Sequence, residues 1–340
     1  MLSLTERRQW TSKVLVYERA EDGEGNWVDR RLYTSYGRRV IYQHPLAYVL
    51  GLEGIALLRA WAGDFDEDFV HRRLAEIGRL LATAALADHD GVMVNRGDTL
   101  TGYRRWAASY DDEPRNGLFD ADEPVMHQII DAIPHGDALD AACGTGRFAE
   151  YLTDRGHHVV GVDSSPDMLE RARVRVPSGE FLLGDLHQLP LPDNSVDLVV
   201  SGLALSHVPT LAPVLAEFAR VLRPAGHVVI SAAHHDIVIR GSVPHALGPN
   251  DEPGLVASYR HTAGDYIRAA LRAGLQIRRC EEPQGSDHDP PPLPPPPAEL
   301  AVGDWAEWPW SLLELIPEAT RAAWAVPAVI VCHFQRPDQS

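Results

Sequence analysis

The hydrophobic pattern changes period along this chain, and from about residue 125 strand-like and helix-like segments alternate. Apolar, β-prone runs predict seven strands, at residues 138–142, 158–162, 181–183, 196–200, 228–231, 275–279 and 328–334. A helix from Pro124 to Ile133 is expected ahead of the first strand, and amphipathic segments such as 146–155 and 210–221 follow. Strands that alternate with helices pair in parallel, in a sheet that helices cover on both faces.

The first part of the chain has a different pattern. Residues 1–43 contain short β-prone runs, and residues 46–62 and 66–87 place apolar side chains on one helical face. We therefore predict a smaller N-terminal domain of mixed β and helical structure over residues 1–95, followed by the α/β domain over residues 96–340. The apolar helix faces need a partner surface, so the smaller domain is expected to shape a substrate pocket or to form a homodimer.

The charge and cysteine content narrow the class of protein. The formal net charge is −17, from 48 acidic against 31 basic side chains, and such a surface repels phosphate backbones and anionic lipid. We therefore expect neither nucleic acid nor membrane as a partner. Three cysteines without a CxxC pair indicate a reducing compartment, and the lack of an apolar leader favours the cytoplasm. The proline-rich run 289–297 predicts a polyproline II loop.

One turn between a strand and a helix carries the main chemical signal. Residues 140–147 read DAACGTGR, and their glycines let the backbone approach a ligand closely. Residues 144–149 also satisfy the dinucleotide pattern GxGxxA, so a nicotinamide cofactor stays possible on this motif alone. Asp163, which ends the second strand, can accept both ribose hydroxyls of either cofactor. Asp140 would repel a pyrophosphate but suits the ammonium of a methionine moiety, and Asp185 can accept from an adenine amino group.

Five motifs follow one another in order: LDAACGTG at 139–146, VGVDSSPDML at 160–169, GDL at 184–186, PLPDNSVDLVV at 190–200 and VLRPAGH at 221–227. This series resembles the class I S-adenosylmethionine-dependent methyltransferases, in particular the small-molecule group that includes the ubiquinone and menaquinone methyltransferases. Residues 50–119 are similar to the helical N-terminal extensions of actinobacterial members. The resemblance implies a Rossmann-like, doubly wound α/β sheet of seven strands in the order 3-2-1-4-5-7-6, with the last strand antiparallel.

The resemblance also implies S-adenosyl-L-methionine as cofactor and S-adenosyl-L-homocysteine as product. The expected cofactor-binding residues are Tyr103, Tyr110, Asp140, Ala142, Gly144, Gly146, Asp163, Ser164, Met168, Asp185, Leu186 and Leu203. Within this set, Asp140 with Gly144 and Gly146 would hold the methionine end, Asp163 the ribose, and Met168 one face of the adenine. The tyrosine rings would cover the cofactor, where an aromatic face can meet the sulfonium cation.

Four histidines are candidates for contact with the methyl acceptor. His207 follows the fourth strand, where many relatives carry a histidine near the methyl group, and it could act as a general base. A structural role, bonded to backbone, is an equal alternative for this side chain. His234, His235 and His261 are expected to line the acceptor pocket. Together the histidines could bind a metal, but nothing in the sequence fixes their geometry, and no bound metal is expected.

These signals predict an enzyme that transfers a methyl group to an O, N or C atom of a small molecule or short peptide, in biosynthesis. Three other functions stay open at this point. The same fold supports cyclisation or decarboxylation with bound S-adenosylmethionine, a non-catalytic subunit could bind the cofactor without turnover, and a nicotinamide oxidoreductase fits the glycines alone. Formation of S-adenosylhomocysteine separates the first function from the other three.

Overall fold

The structure is a computed structural model. It describes residues 17–21, 27–31, 41–107, 110–112, 116–247, 252–283 and 301–338. The chain divides into two compact units, Met1–Arg39 and Val40–Ser340. In the first unit, β1 (Tyr17–Glu21) and β2 (Trp27–Arg31) pair in an antiparallel hairpin. The polyproline run predicted from the sequence, and much of the region 1–43 with its predicted β-prone runs, lie outside the described residues.

The second unit begins with a layer of short strands and helices. In chain order these elements are β3 (Ile41–Gln43), α1 (Pro45–Ala62), α2 (Glu67–Ala82), α3 (Ala84–Ala87), β4 (Val92–Gly97), α4 (Thr99–Trp106) and α5 (Gly117–Ile130). Side-chain caps begin three of these helices, because Asp66, Asp98 and Asn116 each accept a hydrogen bond from a backbone N–H of the first turn.

The remaining elements alternate between strand and helix. They are β5 (Asp137–Ala141), α6 (Arg147–Asp154), β6 (His158–Asp163), α7 (Pro166–Arg175), β7 (Glu180–Leu183), β8 (Val196–Gly202), α8 (Leu211–Val221), β9 (Leu222–Ala233), α9 (His235–Ile239), β10 (Gly254–Val256), α10 (Ala263–Arg272), β11 (Gln276–Glu281), α11 (Trp310–Leu313), α12 (Pro317–Trp324) and β12 (Val329–Gln335). All seven strands that the sequence predicts are present, with ends shifted by a few residues.

A seven-stranded sheet forms the centre of the described chain, in the order β11-β12-β9-β8-β5-β6-β7. The strands from β5 to β9 pair in parallel, whereas β12 is antiparallel to both β9 and β11. Numbered 1 to 7 along the chain, these strands take the order 3-2-1-4-5-7-6 that the family resemblance implies. A smaller sheet of β10, β4 and β3 lies in the same compact unit.

Apolar side chains cover both faces of the large sheet. Successive residues of β5 point to opposite faces, so Leu139 joins a buried cluster with α8 and α10, and Ala138 joins a cluster with α5 and α6. With both faces buried in this way, the carboxyl ends of the parallel strands are the part of the sheet open to a ligand.

One helix begins earlier than the sequence predicts. The predicted helix starts at Pro124, but α5 starts at Gly117 and carries Pro124 inside it. The side chain of Asn116 caps the helix by accepting from the backbone N–H of Leu118 at 3.0 Å. Buried Phe119 in the first turn contributes to the helix's packing, so the cap and the apolar face outweigh the proline as the start signal.

The N-terminal helices are not separated from the rest of the chain at residue 95. Leu52 of α1 and Leu80 of α2 belong to one buried cluster with Leu312 and Ile316, which lie at the other end of the sequence. The compact units therefore divide at residue 40, because a shared apolar core joins residues 41–95 to the C-terminal helices. By length and composition α1 could cross a membrane, but here it packs against α2 and α12.

A buried ion-pair network also joins these helices. Arg73 donates to Glu53 Oε1 at 2.9 Å and to Glu318 Oε2 at 2.6 Å, with only 7% of its side chain exposed. Burial raises the pKa of Glu53 to about 7, against the lowering effect of the Arg73 charge. Arg72 also pairs with Glu318, at 2.8 Å, but 54% of its side chain is exposed.

We predict that Arg73→Met lowers the free energy of unfolding by about 3 kcal/mol, because it leaves Glu53 as an unpaired buried carboxyl group. The matched change Arg72→Met removes an exposed, solvent-screened partner and should cost much less. Without Arg73 the folded-state pKa of Glu53 rises further, so the loss should grow between about pH 6 and pH 8. Urea unfolding of both variants measures this, and equal losses would contradict the prediction.

Candidate functional site

A cavity of about 230 Å³ lies at the carboxyl ends of β5, β6 and β8, beneath α4. Eleven of the residues predicted from the sequence line it: Tyr103, Tyr110, Ala142, Gly144, Asp163, Ser164, Met168, Asp185, Leu186, Leu203 and His207. A second cavity, of about 40 Å³, lies around Asp140 and Arg147. Tyr110 and Gly144 line both cavities, so the two spaces meet at the glycine turn.

The glycine turn has the backbone shape that a close ligand contact needs. Ala142, Gly144 and Gly146 have positive φ angles of 57°, 54° and 88°, and an alanine in this region is strained. A Cβ atom added at Gly144 would meet nothing within 4 Å, whereas one at Gly146 would lie 3.2 Å from the Cβ of Ala172 in α7. Gly144 therefore borders open space, and Gly146, which lines neither cavity, lets α7 pack against the turn.

Asp163 fixes this turn to the next strand. One carboxylate oxygen accepts from the Gly144 N–H at 2.9 Å and the other from the Ser165 N–H at 2.8 Å. Burial raises the pKa of Asp163, and the backbone donors oppose that shift. The carboxylate therefore both holds the turn and borders the larger cavity, at the end of β6.

Opposite charges border the smaller cavity. Asp140, 2% exposed, accepts from the Ala149 N–H at 2.8 Å, and burial raises its pKa to about 7. Arg147 makes two 2.9 Å hydrogen bonds to Asp122, which in turn accepts from Ser231 at 2.6 Å. A carboxyl group and a guanidinium in one small cavity fit a ligand that carries both an ammonium and a carboxylate.

An aromatic cover closes the larger cavity. The ring of Tyr103 lies 5.2 Å from Trp106 and 5.9 Å from Tyr110, measured between centroids. Asp111 holds the segment after α4 in place, because it accepts from Thr145 Oγ1 at 3.0 Å and pairs with Arg175 at 3.1 Å. The cover is therefore attached to the glycine turn and to α7 by side chains.

His207 and Tyr103 form a partly buried hydrogen-bonded pair. The Nδ1 atom of His207 lies 2.9 Å from the carbonyl oxygen of Ala257, and its Nε2 atom lies 2.9 Å from the Tyr103 hydroxyl. A carbonyl oxygen only accepts, so Nδ1 carries the proton and Nε2 accepts from Tyr103. Burial lowers the pKa of His207 and raises that of Tyr103, so both side chains are neutral at physiological pH.

The part of the larger cavity near Asp185 is apolar, with this one acidic side chain at its edge. Met168, 1% exposed, and Leu186 line it together with Asp185. The Asp185 carboxylate accepts from the His187 backbone N–H at 2.8 Å, and this bond is the main cause of its lowered pKa. An ionised carboxylate beside two apolar side chains is a suitable surface for the edge of a nucleobase with an amino group.

The structure does not bring the three other predicted histidines to either cavity. His261 is held through Nε2 at 2.8 Å from the carbonyl oxygen of Val208. His234 and His235 follow β9 at the start of α9 and contact each other and Asp236. None of the three lines either cavity, so their place in an acceptor pocket stays a prediction.

Sequence reasoning assigned no role to several residues that line the cavities. Arg147 stands directly after the glycine turn, and the basic side chain so close to a buried acid was the signal that could have found it. Thr99, Leu100 and Val208 also line the larger cavity. Thr99 and Leu100 carry no comparable signal, since they belong to α4, which follows a strand that pairs with distant β10.

We predict that His207 titrates below the ordinary histidine pKa of about 6.5 and keeps its proton on Nδ1. Burial disfavours the charged ring, so the imidazole stays neutral as the pH falls through 6.5 and becomes charged only at a lower pH. NMR of ¹⁵N-histidine-labelled protein measures both properties, with His207→Gln to assign the signal. A pKa above 6.5, or a proton on Nε2, would contradict the hydrogen-bond assignment.

Comparison with known proteins supplies an independent result. Residues 139–230 match the family model described as "Methyltransferase domain". A malonyl-[acyl-carrier protein] O-methyltransferase of Serratia marcescens is 42% identical over 98 residues, which are 29% of this chain and 38% of that protein. A demethylmenaquinone methyltransferase of Renibacterium salmoninarum is 38% identical over 111 residues, or 33% of this chain and 47% of that protein. The chain thus spans less than half the length of either relative.

Among solved structures, an S-adenosylmethionine-dependent methyltransferase from Mesorhizobium loti aligns with 65% of this chain and 100% of its own, at 22% identity and a TM-score of 0.47.

Proposed function

We propose that this chain, whose residues 139–230 match the methyltransferase domain model, is an S-adenosylmethionine-dependent methyltransferase that transfers the methyl group of that cofactor to an O, N or C atom of a small molecule or short peptide. One observation carries the proposal. The larger cavity, with a buried carboxylate at the end of β6, meets a smaller cavity that contains an acid and a base. A nucleoside joined to an amino acid matches this arrangement, because its ribose hydroxyls would lie in the larger cavity and its ammonium and carboxylate in the smaller one.

The residues that line the two cavities fit both the methionine end and the adenine end of the cofactor. Asp140 and Arg147 would hold the ammonium and the carboxylate of the methionine moiety, and Asp163 would accept from the ribose hydroxyls. The missing side chain of Gly144 leaves open space where a Cβ atom would project. Met168 and Leu186 would pack against the adenine. When bound, the cofactor supplies an electrophilic methyl group on a sulfonium centre.

The Tyr103–His207 pair would handle the proton of an O–H or N–H acceptor. Since the Nε2 atom of neutral His207 is a proton acceptor, the Tyr103 hydroxyl proton can move to it while the phenolic oxygen takes the acceptor's proton. The Ala257 carbonyl keeps the imidazole in this tautomer. A carbon acceptor does not need this relay, and alignment of the acceptor with the methyl group supplies much of the rate in either case.

We propose a role in biosynthesis within the cytoplasm, and a homodimer formed through α1. The exposed face of α1 supports the dimer, since Leu58 and Trp61 are 70% and 92% exposed and apolar surface of this kind often marks an interface. Light scattering of Trp61→Ser beside the unaltered chain tests it. A monomer in both preparations removes this part of the proposal.

We predict that Asp163→Ala raises the Kd for S-adenosylhomocysteine at least about 100-fold, because it removes the ribose acceptor and frees the glycine turn. Asp163→Asn, which keeps one carbonyl oxygen, should have a Kd between those of the unaltered chain and of Asp163→Ala. The matched control is Asp167→Ala, an exposed acid in the first turn of α7 that lies 3.5 Å from Arg104. Calorimetry on folded protein measures the Kd of the unaltered chain and of the three variants. Equal affinity in Asp163→Ala and Asp167→Ala would overturn the site.

The reaction itself is tested with labelled cofactor. Incubation of the chain with methyl-labelled S-adenosylmethionine and a panel of carboxylic acid, phenol, amine and short-peptide acceptors should yield S-adenosylhomocysteine and a labelled acceptor, both detected by mass spectrometry. Tight cofactor binding without S-adenosylhomocysteine from any acceptor would favour the non-methylating or non-catalytic functions. Retention of NADH in place of S-adenosylmethionine would favour the oxidoreductase.

A further inference from the structure

A group of ionisable side chains outside both cavities has no part in the proposed reaction. His234, His235 and Asp236 stand where β9 ends and α9 begins. The backbone N–H of His234 donates to the carbonyl oxygen of Ala328, next to the start of β12, at 3.0 Å. Glu282 directly follows β11 and approaches His234 from that strand. The group therefore lies where the ends of three neighbouring strands, β9, β11 and β12, come together.

Two imidazole nitrogens in this group are buried without a hydrogen-bond partner in the described chain. The side chain of His234 is 3% exposed, and its Nε2 atom has no partner. The Nδ1 atom of His235 is likewise buried and unpartnered. An unsatisfied buried polar atom destabilises the folded state, and in a native structure it calls for an explanation such as an ion or a water.

Carboxylates lie near both imidazole rings, and one of them is near an unpartnered nitrogen. Glu282 Oε1 lies 3.4 Å from the unpartnered Nε2 of His234. The two oxygens of Asp236 lie 3.8 Å from His234 Nδ1 and 3.8 Å from His235 Nε2. One donor atom from each of His234, His235 and Asp236 falls within 4.8 Å of the other two, so a single small ion can reach all three with modest side-chain movement.

We propose that His234, His235, Asp236 and Glu282 bind one divalent transition-metal ion of the zinc class. Imidazole nitrogens with carboxylate oxygens are ligands of such ions, whereas Ca²⁺ and Mg²⁺ take oxygen ligands. Such an ion gives the buried Nε2 atom of His234 a partner, and it offsets the charge of two adjacent carboxylates. This inference replaces the sequence-based expectation of no bound metal, which lacked the position of Glu282.

Two neighbouring contacts bear on how the ion is held. His234 Nδ1 accepts weakly from the Asp236 backbone N–H at 3.2 Å, so ligation through Nε2 requires a small rotation that brings a proton on Nδ1 toward the Asp236 carboxylate. Arg240 lies 3.5 Å from Asp236 Oδ1, so we expect Asp236 Oδ2 and the Glu282 carboxylate to supply the oxygen ligands.

The ion has a structural role on this geometry. Since none of the four side chains lines either cavity, the metal joins the end of β9 to the end of β11 and does not touch the acceptor. Binding to the folded state alone raises its stability. A rise in Tm with added zinc is therefore expected in the full chain.

The test titrates Zn²⁺ alone into chelator-treated full-length protein, in competition with a chromophoric chelator. We expect one equivalent to bind, and His235→Gln or Glu282→Gln to weaken it at least about 100-fold. The matched control is His158→Gln, which alters an exposed histidine 3.5 Å from Asp137 and should keep the unaltered affinity. Circular dichroism checks that each variant is folded.

A second readout identifies the ligands. Co²⁺ in place of Zn²⁺ should give visible absorption bands of a four-coordinate site with nitrogen and oxygen ligands, and these bands should disappear in His235→Gln and persist in His158→Gln. The proposal is overturned if the unaltered chain binds no Zn²⁺ at micromolar concentration, as expected for a site filled by water. It is also overturned if His158→Gln lowers the affinity as much as His235→Gln.

Discussion

The double hydrogen bond from Asp163 to the backbone is the interaction on which the rest of the site depends. Its two oxygens bind the N–H groups of Gly144 and Ser165 at 2.9 and 2.8 Å, and so connect the turn after β5 to the start of α7. The strained φ of Ala142 is tolerated because this connection fixes the turn. The same turn separates the larger cavity from the smaller one and carries Arg147 into position beside Asp140.

Around this turn, the site consists of a base formed by the sheet and a cover formed by α4 and the segment after it. The sheet and its two apolar clusters hold the carboxylates, whereas α4 brings Tyr103 over the cavity from a smaller sheet that distant strands build. Asp111, bound to Thr145 and Arg175, attaches this cover to the turn. The same cover places the Tyr103 hydroxyl group 2.9 Å from His207 Nε2, so one element both borders the cavity and carries the proposed relay.

The sequence best predicts the features that depend on residues close together in the chain. The strands and the glycine turn follow from period and motif, and the predicted strand order agrees with the observed one. The start of α5 was missed because Asn116 caps a helix before Pro124. The domain boundary at residue 95 stays a prediction, although Leu80 and Leu312 share one apolar cluster in the unit that begins at Val40. The placement of the histidines could not be predicted either, since it depends on partners far along the chain, such as Glu282 for His234.

The central claim is that the two adjoining cavities form one site for S-adenosylmethionine. A crystal structure of the chain with S-adenosylhomocysteine tests this claim most directly. We predict that the ribose hydroxyls bind the carboxylate of Asp163 and that the amino-acid end lies between Asp140 and Arg147. Ligand density elsewhere on the surface, or cavities filled by the side chains of Tyr103 and Tyr110 while the ligand is excluded, would contradict the account.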